Sequence, residues 1–112
     1  MRNFASALAL LGLASAELYD PVNSDVTNFS HLNFDKQVTK NRDKAISIVH
    51  FYKDSDGKSP AIADEYQKFA TQNMGIFMIG AVNCDAQPKI CEKEKVSEMP
   101  TVRLYPPFPA PT

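Results

Sequence analysis

Tryptophan is absent from the 112-residue sequence, cysteine occurs twice and histidine twice. Two cysteines need two further ligands to make a tetrahedral zinc site, and neither His31 nor His50 stands where it would supply one. No metal ligand set and no cofactor-binding motif is therefore expected. Charge of one sign is missing too: 12 basic and 13 acidic residues are scattered to a net charge of −1. Without a basic stripe to neutralise phosphates, nucleic acid is excluded as a partner. No apolar run comfortably spans a bilayer, since the stretch from Phe4 to Leu13 is followed at once by Glu17 and Asp20. There is no internal repeat, and 112 residues with 44% hydrophobic content fill one small core rather than two.

What is present begins at the N-terminus. Arg2, the apolar stretch Phe4 to Leu13 and the small residues Ala14-Ser15-Ala16 read as a secretory signal peptide, residues 1–16, cleaved after Ala16. A membrane anchor or a mitochondrial presequence is the weaker reading, because the stretch is short and apolar all round with a single arginine. The chain is accordingly expected in the endoplasmic reticulum lumen or secreted, with no membrane span in the mature protein. In that setting Asn28-Phe29-Ser30 is an N-glycosylation acceptor triplet, or else an unmodified asparagine.

Along the mature chain, Leu18 to Ser24 reads as a polar lead-in and Val26 to Asn28 as a short strand. Leu32, Phe34 and Val38 fall on one face of a short helix. Ala45 to Tyr52 is rich in β-branched and aromatic residues and nearly continuous in apolar character, the pattern of a strand covered on both faces. After a polar turn, Ser59 is placed to cap a helix with Pro60 at its first position. Ile62, Tyr66, Phe69 and Ala70 form its apolar face. Ile76 to Val82 predicts a second buried strand, Pro88 to Lys95 a short helix and Thr101 to Tyr105 a last strand, after which prolines stop the sheet. Alternating strands and helices imply an α/β fold with a largely parallel sheet.

Two short motifs are set aside. Gly57-Lys58-Ser59 ends like a phosphate-binding loop, but Tyr52 stands where its first glycine belongs. Asp54-Ser55-Asp56-Gly57 resembles part of a calcium loop, but Tyr52 and Ala63 fill the first and twelfth ligand positions.

The run Phe51-Tyr52-Lys53-Asp54-Ser55-Asp56-Gly57-Lys58-Ser59-Pro60, continuing to Glu65-Tyr66, resembles without a gap the active-site stretch F-Y-A-P-W-C-G-H-C-K of the protein-disulfide-isomerase family's a-type thioredoxin domain. Ile79 to Asp85 is similar to that family's I-G-A-V-D-C-D, and Val96 to Val102 to its V-x-G-F/Y-P-T-I. The resemblance covers essentially residues 18–107. It implies a thioredoxin fold with a central mixed sheet flanked by helices, a domain over 17–107 and a proline-rich tail over 108–112. It also implies a cis Met99-Pro100 bond facing the site, with Met99, Pro100 and Thr101 holding extended polypeptide.

In the alignment, the two cysteines of C-G-H-C become Asp56 and Ser59, flanking Gly57 and Lys58. A carboxylate cannot form a disulfide, and a serine hydroxyl is too weakly acidic to replace a thiolate. His50 stands where the family buries a carboxylate and reads as a core histidine with a hydrogen-bond partner; His31 is given no role. Ser55 replaces the family tryptophan. The expected function is binding: a redox-inactive domain that assists folding, or serves as an adaptor or structural subunit, with a polypeptide client or partner subunit. In an oxidising lumen, Cys84 and Cys91 are expected to form a structural disulfide worth about 2.5 kcal/mol in the chain-entropy model. Two buried thiols, or an oxidoreductase working through this pair, are the alternatives. The family fold continues with one more strand and helix, so the Thr101–Tyr105 strand is expected to keep an open edge unless the chain is a fragment of a longer protein or a partner covers it.

Overall fold

The apolar run ending at Tyr52 forms the central strand. In the computed structural model, which describes residues 18–112, Ser47–Tyr52 (β2) pairs on both sides and only Ile48 is not fully buried. The expected signal peptide, 1–16, lies outside the described residues. On one side β2 runs parallel to Met78–Asn83 (β3), from Ser47 opposite Met78 to Tyr52 opposite Asn83. On the other it runs antiparallel to Thr101–Tyr105 (β4), from Ser47 opposite Tyr105 to Phe51 opposite Thr101. A two-residue strand, Thr27–Asn28 (β1), adds to β3 in parallel, giving the mixed order β1-β3-β2-β4.

Both long strands start later than the sequence pattern suggests. Ala45 and Ile76 give their N–H groups to Asn41 and Asn73 carbonyls at 2.9 and 3.0 Å, so they close turns instead of extending the ladder.

Strand alternation divides the apolar residues between two faces. Val49 and Phe51 join Phe29, Phe34, Val38, Val82 and Tyr105 beneath the helices Phe34–Gln37 (α1) and Pro88–Lys93 (α3). Tyr52, Ile79 and Ala81 join Tyr19, Tyr66 and Ala70 on the side covered by Ser59–Gln72 (α2).

Three sequence expectations need correction here. Leu32 is 79% exposed because it sits in the turn before α1, and only Phe34 and Val38 of the expected triad are buried. The buried face of α2 is Ser59, Ala63, Tyr66 and Ala70, while Phe69 lies at its margin, stacked on Phe77. Ser59 is the first residue of α2 rather than its cap; Lys58 is the boundary residue and offers no side-chain bond.

Gly80 permits a close approach of β1 and the Phe29 ring to β3. A Cβ there would fall 2.3 Å from the Phe29 ring and 2.6 Å from the Thr27 carbonyl oxygen, so any side chain would push β1 away. At the far end of β4, Arg42 donates to the Pro106 carbonyl at 2.6 Å and to that of Ala110, and lies 4.3 Å over the Phe108 ring, folding the proline-rich tail back. Among the described residues the outer edge of β4 pairs with nothing, and Val102 and Leu104 beside it are half exposed.

Candidate functional site

The site lies where β2 ends and α2 begins. Asp56 closes a turn by donating its N–H to the Lys53 carbonyl at 3.1 Å, which aims its side chain back at the start of α2. One carboxylate oxygen, Oδ1, accepts from the N–H groups of Lys58 (3.0 Å) and Ser59 (2.7 Å). The other, Oδ2, accepts from the Lys53 N–H (3.3 Å) and the Ser59 hydroxyl (2.5 Å). Asp56 thus supplies the capping oxygen that the sequence pattern assigns to Ser59. Partial burial pushes its carboxyl pKa up, but the bonds from Ser59, Lys53 and Lys58 outweigh this and hold it below the ordinary value.

Behind Asp56 a polar chain enters the core. The Ser59 Oγ is 3.1 Å from His50 Nε2, and His50 Nδ1 is 2.7 Å from the Tyr19 hydroxyl. Its proton positions follow from its outer end. An ionised carboxylate only accepts, so Ser59 donates to Asp56 and its oxygen accepts from His50 Nε2–H. The bare Nδ1 then accepts from Tyr19. His50 is therefore neutral and fully partnered, in the tautomer its neighbours dictate. Burial drives its pKa down to about 4, only partly opposed by the Asp56 charge. Burial likewise raises the Tyr19 and Tyr66 hydroxyl pKa values, so both stay protonated. The rings of Tyr19, Tyr52 and Tyr66 enclose the imidazole at 5.5–5.8 Å between centroids.

This arrangement opposes nucleophilic chemistry. A serine attacks when histidine takes its proton. Here histidine donates to serine, serine donates to a carboxylate, and Ser59 is 1% exposed. Gly57 and Lys58, between Asp56 and Ser59, are exposed. Among the described residues no group of three or more His, Cys, Asp or Glu side chains is placed to hold a metal ion.

Across the site, the Met99-Pro100 peptide bond is cis, and Met99, Pro100 and Thr101 are half-buried. Their position follows from register: Thr101 opposes Phe51 just before the Asp56 turn. Cys84 and Cys91 are joined in a disulfide, with Cα atoms 5.8 Å apart. This bridge, Lys53 and Met99 share the lining of a groove of about 400 Å³. A smaller depression of about 250 Å³ lies on the other side of Lys53, against Asp54, Asp56 and Ser59.

Other candidates lie elsewhere. Asn28 is half-buried on β1, its amide donating to the Tyr19 carbonyl at 2.9 Å. His31 is exposed, its N–H donating to Gln87 at 3.1 Å. Sequence reasoning missed Tyr19, placed in a polar lead-in yet wholly buried. It also missed the bond from Asn83 to Asp54 at 3.0 Å, which ties the site turn to the end of β3. The apolar pair Leu18-Tyr19 is the one signal that could have marked the lead-in as packed.

Comparison with known proteins follows the same lines. A family model described as Thioredoxin matches residues 25–108. Curated relatives include "Protein disulfide-isomerase A6 homolog" of Drosophila melanogaster, 34% identical over 94% of this chain and 24% of its own length. "Probable protein disulfide-isomerase A6" of Medicago sativa is 32% identical over 95% of this chain and 29% of its own. The chain thus spans about a quarter of the length of these relatives. Among solved structures, "Crystal structure of full-length ERdj5" superimposes with a TM-score of 0.73 at 23% identity, over 81% of this chain and 13% of that one.

Proposed function

The chain belongs to the thioredoxin family, with protein-disulfide-isomerase relatives, and on that premise we propose that it is a redox-inactive domain that acts by binding polypeptide. It serves as a folding helper, an adaptor or a structural subunit. The observation that carries this reading is the direct bond between Asp56 and Ser59, the two residues standing where thiol exchange needs sulfur. The carboxylate takes the helix N–H groups that would otherwise stabilise a thiolate. What remains available is the face formed by Met99, Pro100 and Thr101.

The same proposal places the mature chain in the lumen of the secretory pathway, after loss of residues 1–16. There the Cys84–Cys91 bridge is at home and Asn28 is open to glycosylation during synthesis, before its amide engages Tyr19. Residues 17–107 are the working domain and 108–112 its tail. Intact mass of the natural protein reports leader loss, glycan and bridge together.

Insulin reduction by dithiothreitol tests the redox reading. The wild-type chain is expected to leave the rate at background, and an Asp56→Cys/Ser59→Cys variant to raise it. Turnover by the wild type that Cys84→Ser abolishes would overturn the proposal in favour of an oxidoreductase working through Cys84 and Cys91.

A further inference from the structure

The groove beside the site has a definite chemical character. Its floor is apolar: the Cys84–Cys91 bridge, Val96 and Met99. Its charged walls are Lys53, Asp85 and Glu92, all exposed. Lys53 also lines the smaller depression with Asp54 and Asp56, and the Asp54 N–H donates to Asp85 at 3.0 Å, so the two hollows form one continuous surface.

Across that surface the charges do not balance. Three carboxylates elsewhere have cationic partners: Asp35 with Lys93, Glu65 with Lys68 and Glu94 with Arg103. Among the described residues Asp54, Asp56, Asp85 and Glu92 are in no ion pair, and only Lys53 lines the surface with the opposite sign. Asp56 is taken up by its four donors, which leaves Asp54, Asp85 and Glu92 around one ammonium over an apolar floor, a surface that complements a chain with apolar side chains flanking a cation. An anionic segment would meet net repulsion across the rim, with Lys53 alone to attract it.

We propose that this groove takes an extended polypeptide segment that sets a lysine or arginine between apolar residues. The inference rests on the polypeptide-binding reading above and adds the class of segment. The bridge fixes the floor against the wall, since it joins the end of β3 to α3, which carries Glu92.

Fluorescence anisotropy with three labelled peptides, identical except for a central Lys, Gln or Glu between leucine and valine residues, tests it on the purified chain. The lysine peptide is expected to bind about tenfold more tightly than the glutamate peptide, the scale of two exposed charge pairs. The preference should collapse between about 50 and about 500 mM salt, as the screening length shortens. Asp85→Asn/Glu92→Gln should remove most of it. If that variant loses its cooperative melt, Glu92→Gln alone, on the exposed face of α3, is the decisive variant and should halve the preference or more.

Equal binding of all three peptides would overturn the charge inference and leave polypeptide binding standing. A lysine preference that survives neutralisation of Glu92 and Asp85 would overturn it as well, by placing the cation elsewhere. Failure of every peptide to bind a chain that melts cooperatively would remove both readings.

Discussion

Replacing Ser59 with alanine is the sharpest test of the polar chain from Tyr19 to Asp56. The hydroxyl is 1% exposed and does two things: it accepts from His50 Nε2–H at 3.1 Å and donates to Asp56 at 2.5 Å. Alanine leaves the imidazole N–H buried without an acceptor, which costs about 1–3 kcal/mol. Asp56 keeps its three backbone N–H donors, so the loss at that end is smaller. A total of about 2 kcal/mol lowers the midpoint of thermal unfolding by roughly 10 °C in a domain of this size. Urea unfolding at pH 7, followed by circular dichroism, measures it. The cost should shrink by about 1 kcal/mol or more in a His50→Leu background, where no N–H remains to be stranded. A Ser59→Ala variant within about 0.5 kcal/mol of wild type, with strictly additive costs in the double variant, would refute the chain as described.

The remaining expectations are independent of one another. His50 has its pKa pushed by burial from 6.5 to about 4, so the unfolded chain binds its proton more readily. Stability present above about pH 6.5 should fall by about 3 kcal/mol as pH drops to about 4, and His50→Gln should flatten that slope in urea unfolding. Gly80→Ala should cost at least about 2 kcal/mol by forcing β1 and Phe29 off β3, read as a lowered urea midpoint. Lys95, two residues past the end of α3, has φ at 59°, so Lys95→Gly should raise stability by about 0.5–1 kcal/mol in the same assay.

What the sequence made legible was whatever rests on local pattern. The strand ending at Tyr52 and the helix after Ser59 each follow from a short run of residues, the cis bond before Pro100 follows from the family resemblance, and each is in place. What it hid depends on distance along the chain. Tyr19 and His50 are 31 residues apart, and nothing in a polar lead-in announces that one tyrosine turns inward to meet an imidazole. The capping of α2 was misassigned for a related reason. Ser59 and Asp56 are both good capping residues, and only the turn at Lys53 decides that the aspartate reaches the helix while the serine faces the core. The buried face of the helix keeps Tyr66 and Ala70 as expected and takes Ala63 in place of Phe69.

The exchange of sulfur for oxygen therefore changes more than reactivity. A thiolate at a helix start holds its charge only while deprotonated and unbonded, and its partner thiol must stay reachable for exchange. Asp56 is an anion held by four donors, and Ser59 is a buried link between that anion and the core. The residues that would cycle in a redox enzyme thus brace the fold, joining α2, β2 and the lead-in through Tyr19. Rigidity here suits a surface that binds rather than reacts, because a groove whose rim is fixed loses less entropy on taking up a chain. On the proposed reading, the carboxylate standing in place of sulfur at Asp56 fixes the turn beside the groove, and Asp85 and Glu92 on the groove's own wall select what it holds.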